Sequence, residues 1–369
     1  MNARLDGFTD VDTPALLLDL DQVEHNIDRY QRGAASAGLK LRPHAKAHKC
    51  SAVGRIQIER GAVGLCCAKL GEAEAMAAGG VRDLLVTTPV IGVLKIRRLV
   101  ELAKSARMAV VVDDESNIAA LSEAAGAADV QIDVLVEVDV GQARAGVAPG
   151  PRAGELASLV ARSRRLRFRG LQGYQGKLQA VASLGDRAAL VREAMAKLRV
   201  SLDGVRAAGL DCPVATGGGT GSFPIDIGLG TLTELQPGSY VTMDTAYAKV
   251  ALASDGDAHP LGQPLTILAS VISRPAAGKA IVDVGWKSAS SDGGLPSVKD
   301  QSELIFEFAG DEHGSIRSTA GELNLALGDR IELIPSHCDT TVNLYDRFAV
   351  HRSGRLEGFW TIEARGKSQ

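Results

Sequence analysis

The sequence predicts an α/β fold, a (β/α)8 TIM-like barrel followed by an all-β C-terminal domain. Three observations carry this. Short apolar, β-branched runs recur eight times across the first two-thirds of the chain. Stretches rich in Ala, Leu and Arg at helical spacing separate them, the pattern of a parallel sheet covered on both faces. From about residue 264 the helical spacing stops, and strand-and-turn patterns run to the end. So even a repeat of eight favours a closed barrel over a doubly wound open sheet.

In chain order, "TPALLLDL" reads as a strand that precedes the barrel count and could add to the β domain. The barrel runs are "LKLRPHAK", "GLCCAK", "DLLVTTP", "MAVVVDD", "DVLVEVDV", "FRGLQGYQG", "CPVATGGGT" and "TELQPGSY". Segments such as "GEAEAMAAGG" and "RAALVREAMAKLRVSLDGVRAAG" supply the helices between them. The later runs "LTILASVIS", "KAIVDVGWK", "ELIFEFAG", "RIELIPSHC", "RFAVHRS" and "RLEGFWTIEARG" are strands joined by Gly, Pro and Asp turns. The expected division is a barrel over 22–255 and a β-rich unit made of 1–21 plus 256–369.

A chain of 369 residues can bury a large core in two domains. Its net charge of −3 and pI near 6.2 give no electrostatic case for nucleic acid or a membrane surface. The first residues lack the apolar core of a signal peptide, and no apolar run approaches the roughly eighteen residues of a membrane span. A cytoplasmic location is therefore expected. The five cysteines (Cys50, Cys66, Cys67, Cys212, Cys338) are odd in number and scattered, which suits small thiols in a reducing compartment.

Residues at the C-terminal ends of barrel strands face the active site. Here those ends carry Lys46 and His48, Arg144, Tyr174, "TGGGTGS" and "GSY". A strand-end Lys is by default a solvated cation. Around Lys46, however, Arg42, His44, His48 and Lys49 crowd one segment, and crowded cations depress a Lys pKa and free its amine for Schiff-base chemistry. "ATGGGTGS" (Ala215 to Ser222) follows the seventh run, where barrel phosphate sites lie, and its amides and hydroxyls can cradle a phosphate, with "PGSY" (Pro237 to Tyr240) completing it. Neither stretch matches a Walker A loop or a dinucleotide fingerprint, which disfavours ATP and NAD. In "PSHCDTTVNLYD" (Pro335 to Asp346), His337 and Asp339 are two apart and would share one face of an extended strand. So sparse a ligand set leaves coordination positions open, as a catalytic ion requires. A Schiff-base Lys beside a phosphate cradle on a barrel points to pyridoxal 5′-phosphate.

The chain resembles the D-threonine aldolase and eukaryotic-type D-serine dehydratase family, the fold-type III, alanine-racemase-like pyridoxal phosphate enzymes. The motifs "TPALLLDL", "RPHAKAHKC", "VEVDVGQARAGV", "LQGYQG", "TGGGTGS", "ELQPGSY" and "PSHCDTTVNLYD" carry the resemblance over essentially the whole length. It implies that Lys46 binds the cofactor covalently and that Arg144 faces the pyridine nitrogen. Tyr174 would line the cofactor, with Thr216, Gly218, Gly219, Gly238, Ser239 and Tyr240 near its phosphate or ring. His337 and Asp339 would hold a divalent ion, Mn²⁺ first, with Mg²⁺, Co²⁺ and Zn²⁺ open to the same donors. A homodimer is implied by resemblance alone.

Both family activities act on β-hydroxy-D-amino acids. An aldolase breaks Cα–Cβ to give glycine and an aldehyde; a dehydratase gives a keto acid and ammonia. The spacing H-x-D and "VNLYD" resemble the aldolases, whereas the dehydratases tend to show H-x-C. Against this, aldolases that resemble the chain carry a His, thought to be the base on the β-hydroxyl, where "YQGKLQAV" has Ala180 preceded by Gln179. His48 or a metal-bound hydroxide could substitute. The expectation is an aldolase on D-threonine-like or 3-hydroxy-D-aspartate-like substrates. A D-serine or D-3-hydroxyaspartate dehydratase and a non-catalytic cofactor carrier are the alternatives, and a racemase lacks a clear acid–base partner for Lys46. Arg42, Lys177 and Lys287 are cations that could serve a second substrate carboxylate.

Overall fold

A computed structural model describes residues 7–253 and 260–369, so the expected domain boundary at 255/256 lies outside the described residues. The eight apolar runs form eight strands: β2 (Lys40–Leu41), β3 (Leu65–Cys67), β4 (Asp83–Val86), β5 (Arg107–Val112), β6 (Ile132–Glu137), β7 (Leu166–Gly173), β8 (Val214–Gly217) and β9 (Glu234–Leu235). They follow β1 (Ala15–Asp19) and pair in the order β2-β9-β8-β7-β6-β5-β4-β3, every pair parallel. A His44–Cys66 bridge and the bonds Cys66 N–H to Pro43 O (2.8 Å) and Val63 N–H to Leu41 O (2.9 Å) close the seam between β2 and β3. Strand bodies such as β6 are buried at every residue, because helices cover the outer face while side chains fill the inside. The first helix, Leu20–Ser36, shows how the outer layer is made. Asp19 caps it by accepting from Asp21 N, and Leu20, Val23, Ile27, Tyr30 and Ala34 form its buried stripe at three- and four-residue spacing.

The remaining strands are β10 (Leu265–Ala276), β11 (Lys279–Val282), β12 (Ser297–Val298), β13 (Leu304–Phe308), β14 (Gly314–Ser318), β15 (Arg330–Ile334), β16 (Arg347–Arg352) and β17 (Arg355–Thr361). They and β1 make a nine-stranded sheet, with β1 antiparallel to β10 and parallel to β16. Alternation along β1 sends Leu16 and Leu18 into the core shared with the barrel. Leu17 points to a separate cluster with Phe8, Val11, Leu268 and Ala349. One expectation is corrected. "RIELIPSHC" does not run on as a strand: β15 stops at Ile334, and Cys338–Val342 is a short helix. The Thr340, Thr341 and Val342 run carries the β-branched signature of a strand. Hydrogen bonds from outside the segment override it: the buried Asp244 carboxylate accepts from Cys338 N (2.8 Å) and caps the helix start. Among the described residues no helix is long and apolar enough to cross a membrane, and all five cysteines are free.

Candidate active site

Lys46 lies on a single 3₁₀ turn, Ala45–Ala47, just past β2. His44 caps it, its Nδ1 accepting from Lys46 N (3.4 Å) while its Nε2 meets Thr87 Oγ1 (3.1 Å). The Lys46 ammonium stands 3.5 Å from Asp339 Oδ2. This corrects the expected depressed pKa: the Asp339 carboxylate, outweighing burial, raises it. The crowd of cations around Lys46 is largely neutralised. Burial holds His44 well below its ordinary value and brings His48 down to about 4, so both are neutral. Lys49 pairs with Glu72 at 2.6 Å, and Arg42 points to the opposite mouth of the barrel, bound to Asp83 and Glu234.

His48 is fully enclosed; its Nδ1 accepts from Cys50 N (3.2 Å) and its Nε2 has no partner. That position does not let it meet a substrate as a base, so the catalytic expectation for His48 is corrected to a structural one.

From the ends of β6 and β7 come Arg144 and Tyr174. The guanidinium lies over the Tyr174 ring at 5.8 Å and 4.0 Å from Glu137. Burial pushes Glu137 up to about 7, against the pull of Arg144. Beneath them runs a buried amide chain that sequence reasoning missed: Gln236 Nε2 donates to Gln172 Oε1 (3.0 Å), and Gln172 Nε2 donates to Glu137 (3.1 Å) and Thr87 O (3.1 Å). Its only sequence signal is a polar residue at the end of each apolar run.

The glycine loop after β8 is braced from two sides. Gly219 N donates to Ser222 Oγ (2.9 Å), Ser222 Oγ donates to Asp226 (2.6 Å), and Gln179 both donates to Ser222 Oγ and accepts from Ser222 N. Gly218 sits at φ +67, where a Cβ would come within 2.4 Å of the Asp226 carboxylate, so only glycine fits. Thr216 Oγ1 is buried and unpartnered at the head of this loop. Gly238 packs against the His44–Ala47 turn, and Ser239, also buried, follows it. Tyr240 is corrected: its N–H donates to Thr220 Oγ1, its carbonyl accepts from Asn26, its hydroxyl accepts from Gln57, and its ring stacks on Tyr30. Enclosed in the core and bonded through its amide, carbonyl and hydroxyl, it positions the loop.

His337 and Asp339 do not share a strand face as expected. His337 is the extended residue before the helix, and Asp339 is in its first turn. They are near enough for Asp339 to favour the charged imidazole. Burial opposes that charge but is outweighed by Asp292, whose Oδ2 is 2.6 Å from His337 Nδ1. Asp339 also accepts from Cys338 Sγ (3.3 Å). Lys46 and Asp339 share the wall of a cavity of about 520 Å³, with Trp286, Ser290, Thr340 and Asn343 also in it. Of the other cations considered for a substrate carboxylate, Lys287 pairs with Glu312 at 2.6 Å and Lys177 is exposed; neither is in this wall.

The residues suit the two groups the sequence implies. An orphaned buried hydroxyl at Thr216, a braced glycine loop and a Lys facing a cavity fit a phosphorylated carbonyl cofactor. For an ion the set is sparse: among the described residues no three His, Cys, Asp or Glu side chains form a metal cluster. His337 and Asp339 would leave most positions to water and substrate, the open form of a catalytic site.

Residues 18–246 match the alanine racemase N-terminal domain family, and 264–351 match the putative serine dehydratase domain. The chain is 40% identical to the D-threonine aldolase of Arthrobacter sp, covering 99% of this chain and 95% of that protein. It is 39% identical to the 3-hydroxy-D-aspartate aldolase of Paracoccus denitrificans (strain Pd 1222), covering 97% and 93%. The crystal structure of D-threonine aldolase from Filomicrobium marinum superposes with a TM-score of 0.94 at 41% identity, covering 98% of this chain and 97% of that one. The match of barrel, sheet and motif order across the full length establishes that the chain belongs to the fold-type III, alanine-racemase-like family of pyridoxal phosphate enzymes, in its D-threonine aldolase group.

Proposed function

We propose that this enzyme is an aldehyde-lyase that cleaves D-β-hydroxy-α-amino acids to glycine and an aldehyde, using pyridoxal 5′-phosphate and a divalent ion, Mn²⁺ first. The observation that carries the reading is the approach of Lys46 Nζ to Asp339 Oδ2, 3.5 Å, in one cavity wall. It brings the residue that would hold the cofactor against one that would hold the ion. The barrel of 22–255 would bind the cofactor through Lys46, Arg144, Tyr174, Thr216, Gly218, Gly219, Gly238 and Ser239. The unit of 1–21 plus 256–369 would supply His337 and Asp339 to the metal. When bound, the cofactor supplies an electron sink at Cα and the ion polarises the β-hydroxyl.

The chain's own groups have distinct tasks. The Arg144 guanidinium can donate a hydrogen bond to a ring nitrogen but does not transfer a proton to it, and Glu137 and Tyr174 hold it in place. In the cleavage the β-hydroxyl loses its proton, Cα–Cβ breaks, and Cα takes a proton to become glycine. In the cavity wall Lys46 Nζ is the group that can carry a proton to Cα, since Asp339 is assigned to the ion and Lys49 is paired with Glu72; Ala180 is a methyl group and His48 is enclosed. We place the enzyme in the cytoplasm as a homodimer, the state its resemblance implies.

A product assay tests this. Cofactor-loaded enzyme is given D-threonine, D-phenylserine, D-3-hydroxyaspartate or D-serine, with Mn²⁺ or with EDTA. Glycine released only with metal is the expected result. The dehydratase reading, which the match of 264–351 to a serine dehydratase domain keeps in view, predicts keto acid and ammonia instead. No turnover on any substrate, with cofactor bound at Lys46, would mark a carrier.

A further inference from the structure

We propose that Asp292 is a positioning residue for the metal centre, fixing the ring tautomer and orientation of His337 so that Nε2 faces the ion. The inference rests on the reading of His337 as a ligand.

The geometry is over-determined. Asp292 Oδ2 lies 2.6 Å from His337 Nδ1, and an ionised carboxylate can only accept, so the proton of that bond resides on Nδ1. In the neutral ring that a metal requires, Nε2 is then the lone-pair nitrogen, and it bonds to no described residue. The other carboxylate oxygen is held by Thr340 Oγ1 (2.8 Å) and by Ser290 Oγ. With both oxygens engaged, Asp292 is an orienting group and not a third ligand.

The loop that carries Asp292 is itself pinned to the His337 segment. Ser336 Oγ donates to Ser290 O (2.8 Å), and Ser290 N donates to Thr341 Oγ1 (3.3 Å). At Gly293 the two backbones come so close that a Cβ would sit 2.6 Å from Ser336 O. Thus the ring has one hydrogen-bonded orientation, set by the loop that carries Asp292. A carboxylate on the distal nitrogen raises the basicity of a ligating imidazole, and loss of such a partner typically weakens metal binding by about 10–100-fold.

The test is Mn²⁺ titration of cofactor-loaded, metal-stripped enzyme, followed by electron paramagnetic resonance of free Mn²⁺. Asp292→Ala is expected to weaken binding by about 10–100-fold, with the cofactor absorbance and the metal-free unfolding temperature unchanged. Asp292→Asn, which keeps an acceptor but loses the charge, should fall between Asp292→Ala and wild type. Thr340→Val removes one brace of Asp292 but leaves the His337 contact, and should weaken Mn²⁺ far less than Asp292→Ala. Wild-type affinity in both Asp292 variants, while His337→Ala loses the ion, would overturn the proposal and leave the ligand assignment standing. Wild-type affinity in His337→Ala would sink the ligand assignment and this proposal with it.

Discussion

Ala180 ends the short turn Lys177–Ala180 with an exposed methyl group, one residue after the Gln179 that braces the glycine loop. Aldolases that resemble the chain have a His there, and a methyl group accepts no proton. Ala180→His should therefore raise the rate of glycine release by at least about tenfold, measured as kcat on D-threonine with saturating Mn²⁺. An unchanged kcat would show that the β-hydroxyl proton already has an efficient acceptor elsewhere. The same scale explains Lys46. It keeps its proton because two neighbouring imidazoles are neutralised by burial, while one carboxylate is close enough to outweigh its own desolvation.

Among the elements, the glycine loop and the helix Phe223–Asp226 behave as one unit, joined through Ser222 and Asp226. Burial pushes Asp226 up to about 7, with the Ser222 hydroxyl opposing, and Oδ1 has no partner. The folded protein therefore holds a proton on Asp226 between about pH 4 and 7 that the unfolded chain has released. Folding stability contributed by this group falls as pH rises through that window. Asp226→Asn does not titrate and its oxygen can still accept from Ser222. Its unfolding temperature relative to wild type should thus be higher at about pH 7.5 than at about pH 5, by a few degrees. Thermal unfolding of the cofactor-loaded proteins at the two pH values checks this; a pH-independent difference would mean that Asp226 is charged throughout.

Over the whole molecule, the site exists only because the barrel and the nine-stranded sheet are joined around it. Asp244, just past the barrel, accepts from Cys338 N (2.8 Å) and Tyr247 N (2.9 Å), and Thr245 N donates to Pro335 O (3.0 Å). On the other side, Ser51 bonds twice to Glu363, and Ala364 N donates to Lys49 O (3.0 Å). Asp244→Ala leaves the Cys338 amide without its acceptor and should cost about 1–3 kcal/mol in urea unfolding. The same substitution should also weaken Mn²⁺, since it frees the turn that holds His337 and Asp339. Full stability with normal metal affinity would show that Asp244 does not set this junction.

Legibility followed the reach of each interaction. The eight barrel strands and the later β strands were readable from the chain, because periodicity and turn residues act over a few neighbours. The place of Lys46, Arg144, Tyr174 and the glycine loop after the strand ends was readable too, since a closed barrel sends strand ends to one mouth. His337 and Asp339 could be named from their spacing but not placed, because Asp244, about ninety residues away in sequence, decides that their segment is a helix. Tyr240 was expected beside the cofactor and His48 as a possible base, and both are enclosed in the fold. The roles of Asp292, Gln172, Gln179 and Asp226 were not legible, for each acts through a partner at least four residues away, and most through one more than thirty away. Periodicity and turn residues along the chain set the elements outside 335–342, their order and the chemistry on offer. Which side chains meet and which stay charged is set by the fold, because burial and the approach of a partner are properties of the folded chain and not of any segment of it.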